Sequence, residues 1–232
     1  MPQDSYQKTL DYLKKKNKIL FLTTSNRWNE SPTKEKPKST KLAYKLAEEL
    51  GDKVTVLEIP LLNIFPCHGN VSTDHGNVCG LKDAAVQDKE KNPDGNLRCW
   101  VSFSNKDDEL WKVTKELFQA DTVVFFGSIR WGQMNGFYQK LIERLTWIEN
   151  RHTTLGEENI IAGKDVGIIA VGQNWNGETV INTQKKVLEF FGFTVVDDLC
   201  WNWQFTADEN DESPESYTKA ITTFQELFLN KK

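Results

Sequence analysis

Apolar and polar positions alternate along this chain with two different periods. Residues 5–16 place Tyr6, Leu10 and Leu13 at helical spacing. The apolar run at 18–24 then reads as a strand buried on both faces. A polar loop with Pro32 and Pro37 follows, and Ser39-Thr40 opens a helix carrying Leu42, Leu46 and Leu50, with Gly51 as its C-cap. Residues 53–59 are the second strand. Residues 60–106 are irregular, with a short helix expected over 80–88 and a short strand over 97–103. Helical spacing returns at 107–119 through Leu110, Val113 and Leu117. The run 122–126 is a third strand, 135–150 a helix, 164–172 a fourth strand and 178–191 a helix ended by Gly192. A fifth strand begins at 193–197 and reaches toward Trp203. Pro214 stands at the first position of a final helix to Leu229.

Strand and helix thus alternate five times. Parallel neighbours require helical crossovers, so this pattern predicts an α/β fold with helices on both faces of a parallel sheet. The 232 residues suffice for one large domain, here 1–232, with the irregular segment at about 60–106 as an insertion. A composition of 38% hydrophobic and 27% charged residues is that of a globular chain. The net charge of -4 argues against a general nucleic-acid binder. No apolar stretch has the length of a membrane span or of a signal-peptide core. With four cysteines in so long a chain, a reducing cytoplasm is the expected location.

Three strand-to-helix loops carry candidate chemistry. Ligands of open parallel sheets bind at the carboxyl ends of the strands, where helix N-termini converge. After strand one come Ser25, Asn26 and Arg27, with Ser39 and Thr40 at the next helix start; hydroxyls, free backbone N–H groups and a guanidinium form an anion cradle. Taken alone, Ser39 reads first as an ordinary N-cap. After strand three comes Gly127-Ser128-Ile129-Arg130-Trp131-Gly132-Gln133-Met134-Asn135-Gly136, where Trp131 offers a flat apolar surface and the neighbouring N–H groups could donate to a carbonyl-rich heterocycle. After strand four comes Gly172-Gln173-Asn174-Trp175-Asn176-Gly177. Convergence of three such loops on one sheet edge is more telling than any one of them.

Cys67, His68, His75 and Cys79 are residue types of a zinc site, but their spacing fits no standard finger. They read first as free thiols and solvated imidazoles, with metal binding the minority alternative. Only three histidines exist and no carboxylate pair stands out, so no proton-transfer apparatus is evident. That favours a reaction whose hard chemistry belongs to a bound cofactor.

The stretch Thr24-Ser25-Asn26-Arg27 with Ser39-Thr40, the stretch Ile129 to Gly136 with Lys140 and Arg144 beyond it, and the loop Gly172 to Gly177 together resemble the NAD(P)H-dependent FMN reductase family of the flavodoxin-like superfamily. The resemblance spans about Lys18 to Phe193. It implies a doubly wound, five-stranded parallel sheet in the order 2-1-3-4-5, with FMN bound non-covalently at its carboxyl edge. It also implies hydride transfer from NAD(P)H through FMN to a quinone, flavin or other small electron acceptor, in a homodimer or homotetramer. Ser25, Arg27, Ser39 and Thr40 would hold the phosphate. Arg130, Trp131, Gly132, Gln133, Met134 and Asn135 would line one side of the flavin ring, and Gly172, Gln173 and Asn174 another. An electron-transfer flavoprotein and a non-enzymatic nucleotide- or protein-binding member are the alternatives. The cysteine loop resembles the iron–sulfur flavoprotein branch in part, but Asn70 stands where Cys67-x-x-Cys would need its second thiol.

Overall fold

The computed structural model describes residues 2–26, 35–69, 77–172, 175–204, 206, 211 and 213–229. Strands β1 (Ile19–Thr23), β2 (Val54–Glu58), β3 (Thr122–Arg130), β5 (Asp165–Gly172) and β6 (Thr194–Gln204) form a parallel sheet in the order β2-β1-β3-β5-β6. A two-residue strand β4 (Gln133–Met134) pairs antiparallel with the end of β3. Counting the parallel strands alone, this is the expected order 2-1-3-4-5.

The continuous apolar runs have a simple origin. Successive side chains of a strand point to opposite faces, and here both faces are covered. Leu20 and Leu22 of β1, Val123 and Phe125 of β3, and Val166, Ile168 and Ala170 of β5 enter one core. Helices α4 (Leu110–Gln119), α5 (Gly136–Thr153) and α6 (Gly177–Phe191) close that core with Leu117, Tyr138, Leu141, Leu145 and Leu188. Ile19, Phe21, Val124, Phe126, Ile169 and Val171 enter the opposite core. It is closed by α1 (Pro2–Leu13), α2 (Lys38–Leu50) and α7 (Pro214–Phe224), the last running on into a π-helical turn at Gln225–Leu229. Among the described residues no helix is long and apolar enough to cross a membrane.

Gly167 of β5 lies where the β5–β6 register shifts, and a Cβ there would sit 2.2 Å from Leu199 Cβ and 2.5 Å from its carbonyl oxygen. Only glycine lets β6 approach this closely.

The segment between β2 and α4 departs from two local expectations. Residues 80–88 hold only a 3₁₀ turn at Lys82–Ala84, because Gly80 has a φ of +90° and Val86 donates its N–H to the distant Leu97 carbonyl. Residues 97–103 are extended only up to Cys99 and then become helix α3 (Trp100–Ser104), closed by Phe103 N–H to Cys99 carbonyl. The period-two pattern of Leu97, Cys99, Val101 and Phe103 therefore misleads: Phe103 turns outward and is 39% exposed. What anchors the segment is one buried cation from the far side of the core. Arg144 of α5 donates to both carboxylate oxygens of Asp108 (2.8 and 2.9 Å), to the Phe65 carbonyl (2.7 Å) and to the Ser102 hydroxyl (2.9 Å).

Candidate functional site

The carboxyl rim of the sheet is built from three strand ends. At the first, β1 gives way to Thr24 and Ser25. Helix α2 then starts after Pro37, which offers no side chain to cap it. The first turn of a helix leaves backbone N–H groups without internal partners and carries partial positive charge. Ser39 donates its hydroxyl to Ser25 Oγ at 2.7 Å, both buried at this uncapped end. Beside them Thr40 Oγ1 is fully buried and has no hydrogen-bond partner among the described residues, nor have Thr23 Oγ1 and Ser128 Oγ at the ends of β1 and β3. A buried hydroxyl without a partner is costly, so that of Thr40, at a helix N-terminus, fits an anion that supplies the missing bond. Arg27 lies outside the described residues.

At the second strand end, β3 runs four residues past Phe126 and turns back. Gly127 and Ser128 continue the pairing with β5, and then Ile129 and Arg130 pair with Met134 and Gln133. The expected loop is therefore a two-residue hairpin with Trp131 and Gly132 at its tip. Both have positive φ, 51° and 67°, the requirement of a type I′ turn. Glycine adopts that conformation freely; tryptophan does so at a cost. Trp131 is nevertheless 89% exposed, so no core packing compensates it. Neither N–H at the tip has an acceptor among the described residues.

Arg130 and Gln133 are exposed beside this tip, whereas Met134 and Asn135 lie beneath it. The Met134 side chain fills the space over Gly127, where a Cβ would come 2.4 Å from Met134 Cε. Asn135, at the N-cap position of α5, donates to the Thr24 carbonyl at 2.5 Å and accepts from the Thr24 hydroxyl at 2.9 Å. Its amide therefore fastens the second strand end to the first, and its backbone N–H donates to the Ser128 carbonyl at 3.0 Å, so the residue braces the rim from within.

At the third strand end, Gly172 closes β5, while Gln173 and Asn174 lie outside the described residues. Trp175 lays its ring over Gly132, where an added Cβ would meet Trp175 Cη2 at 2.8 Å. Asn176 takes φ 71° at the start of α6 and donates from Nδ2 to the Gly132 carbonyl at 3.1 Å. Thr24, Trp175 and Asn176 thus join the rim although the residue-level reading of the sequence did not single them out. Trp175 and Asn176 lie in the expected loop, and a second tryptophan between polar residues was the available signal.

The cysteine segment lies apart. Cys67 is half-buried, His68 exposed and Cys79 buried, and His75 lies outside the described residues. Among the described residues no group of three or more His, Cys, Asp or Glu side chains is arranged to hold a metal ion. Arg144, part of the resemblance, is committed to Asp108 and the insertion rather than to the rim.

No family model matches the chain, and no curated protein matches its sequence. Solved structures do match. RosB with bound 8-demethyl-8-formylriboflavin-5'-phosphate superposes with a TM-score of 0.59 at 16% identity, over 91% of this chain and 74% of that one. Azoreductase AzrA gives 0.53 at 15% identity, over 90% of this chain and 96% of that one. The azoreductase of Bacillus anthracis str. Sterne gives 0.51 at 16%, over 91% and 96%. The fold is flavodoxin-like. In a flavodoxin-like sheet the strand order reverses between β1 and β3, and these are the strands whose carboxyl ends carry the hydroxyls and the tryptophan turn.

Proposed function

We propose that this chain binds FMN without a covalent bond on the carboxyl rim and works as an NAD(P)H-dependent reductase of a quinone, flavin or other small acceptor. The observation that carries this reading is the pairing, at one switch point, of an unpartnered Thr40 hydroxyl at an uncapped helix start with an exposed tryptophan held in a left-handed turn. The flavin-binding and azoreductase neighbours share the fold and add support of a general kind.

In this reading Ser25, Ser39 and Thr40 hold the FMN phosphate with the free N–H groups of α2, and Arg27 adds charge-assisted bonds. Trp131 covers one face of the ring by stacking. The free N–H groups of Trp131 and Gly132 aim donors at ring heteroatoms, as preorganised dipoles that stabilise negative charge without rearranging. Arg130 and Gln133 flank the same ring, Met134 and Asn135 support it from below, and Gly172, Gln173 and Asn174 bound the other side. Bound FMN supplies the capacity to accept a hydride from the nicotinamide and pass electrons to the acceptor. No acid or base of the chain is assigned to the transfer.

The test is a visible spectrum of the purified protein, FMN titration of the stripped protein, and anaerobic mixing with NADH and with NADPH. Flavin bands that bleach rapidly on mixing support the reductase. Flavin bands that persist point to an electron carrier, and failure to take up FMN points to a non-enzymatic binding role. The reading also entails a homodimer or homotetramer, which sedimentation of the holoprotein checks.

A further inference from the structure

Away from the rim, two buried, unbonded thiols lie on neighbouring chain segments. Cys79 and Cys99 are 5% and 3% exposed, and all four cysteines are free. Gly80 donates its N–H to the Arg98 carbonyl at 2.8 Å, so the chain segments 79–80 and 98–99 run side by side. Cys79 and Cys99 belong to the two peptide groups that this bond joins, which holds them as near neighbours across it, in the range where a disulfide, with Cα atoms roughly 4.4–6.8 Å apart, can form.

Both segments are pinned. Asn150 donates to the Cys79 carbonyl at 2.6 Å, and Arg98 is paired with Glu157 at 2.7 Å. Gly80 lies so close to α5 that a Cβ there would meet Arg151 Cγ at 3.1 Å and the Trp147 carbonyl at 3.2 Å. The pair is therefore held in register. Arg144 Nη2 donates to Cys99 Sγ at 3.4 Å, placing a buried cation against one sulfur only. A cavity of about 430 Å³ is lined in part by Ser102 and Asp108, the same two side chains that bond Arg144 beside Cys99.

We propose that Cys99 and Cys79 form a peroxide-oxidised thiol pair, with Cys99 the attacking sulfur and Cys79 the resolving one. The Cys99 thiolate attacks the distal oxygen of a hydroperoxide; the S–O bond forms, the O–O bond breaks, and the alcohol or water leaves with a proton from solvent. The Cys79 sulfur then attacks Cys99, the S–S bond forms, and the sulfenic oxygen leaves as water, taking the Cys79 proton. Two thiols are oxidised by two electrons and one hydroperoxide is reduced. The roles follow from the placement of Arg144, whose guanidinium donates to Cys99 Sγ and not to Cys79. In keeping with it, the Cys79 neighbour and the Arg144 charge pull the Cys99 thiol below its ordinary range against the effect of burial, while the Cys99 neighbour and burial push the Cys79 thiol up. Thiolate character governs which sulfur attacks.

The experiment treats the reduced full-length protein with hydrogen peroxide under native conditions, blocks the remaining thiols and maps peptides by mass. The expected product is a cross-linked peptide pair containing Cys79 and Cys99, two hydrogens lighter and released by dithiothreitol. In Cys79→Ser, dimedone is expected to label Cys99. Cys79 and Cys99 recovered as free thiols while Cys67 or Cys200 is oxidised would overturn the proposal, as would dimedone labelling of Cys79 in Cys99→Ser at the rate of Cys99 in Cys79→Ser. The wild-type map requires no substitution, so poor folding of either variant leaves the test intact.

Discussion

Replacing Trp131 by glycine separates a ligand-binding role from a structural one. The side chain is 89% exposed, so about a tenth of a surface of up to about 250 Å² is buried, worth about 0.6 kcal/mol at ~25 cal/mol per Å². Against that loss, glycine relieves a left-handed conformation at φ 51° that costs an ordinary residue about 1–2 kcal/mol. Its greater freedom in the unfolded chain takes back about 0.5–1 kcal/mol. These contributions nearly cancel, and the stability of the free protein is expected to change by less than about 1 kcal/mol. Binding of FMN should respond differently. Stacking of a heterocycle on an aromatic side chain is worth about 1–3 kcal/mol, which is about a 5- to 150-fold rise in Kd. Urea unfolding of the flavin-free protein and fluorescence titration of FMN read the two quantities independently. Unchanged affinity for FMN refutes the stacking role of Trp131. A loss of several kcal/mol in the free protein refutes the claim that the turn is held from below rather than by its own ring.

Three further outcomes follow from the same geometry. Thr40→Val removes a buried hydroxyl that has no partner among the described residues, so the flavin-free protein should be as stable or slightly more stable, while the rise in Tm on adding FMN shrinks. Gly167→Ala places a methyl group 2.5 Å from the Leu199 carbonyl oxygen and should lower stability by about 2 kcal/mol or more in urea unfolding, through displacement of β6. Asp108→Asn leaves Arg144 charged and buried without its counterion and should cost about 3–5 kcal/mol. Burial pushes the Asp108 carboxyl up, but the Arg144 hydrogen bonds and charge, with the Ser102 hydroxyl and Phe65 N–H, outweigh it and leave it below the ordinary range. Its stabilising contribution is therefore complete above the unfolded value of about 3.9 and is lost as pH falls through the lower folded value. Wild type should lose stability across that acid window, and Asp108→Asn should lose less there.

The sheet was legible because burial on both faces writes the central strands β1, β3 and β5 as apolar runs and each crossover helix as a stripe, whereas the strand order came from the resemblance of the three loops. Leu42, Leu46 and Leu50 report α2 with little ambiguity, and Gly51 and Gly192 mark helix ends by their positive φ. Hairpin β4 was not legible, since two residues cannot display a period. The insertion was misread for a related reason: its helices and turns are fixed by distant partners. Arg144 is 36 residues from Asp108 and 79 from Phe65, and no local pattern announces such a bond. At the rim, the sequence marked the loops but not the direction of their side chains. Asn135 and Met134 stand beside Trp131 in the chain, yet one is spent on Thr24 and the other on Gly127.

That division of labour explains how the rim can hold an unfavourable conformation. Among the described residues only Trp131 and Asn176 combine a side chain with positive φ, and both belong to this rim. They are joined: the Asn176 amide bonds the Gly132 carbonyl, and the Trp175 ring closes over Gly132. Asn135 meanwhile ties the foot of the same hairpin to the end of β1. The strain is thus borne by bonds on the inner side of the turn, while the ring it presents gains almost nothing from the protein itself. Strained backbone persists where surrounding structure over-determines it, and it concentrates at ligand sites. A flat apolar ring held outward at such cost, with two N–H groups and a hydroxyl at the neighbouring helix start that find no partners among the described residues, has no rationale in stability. A planar, anionic ligand lying across the switch point gives all of them one.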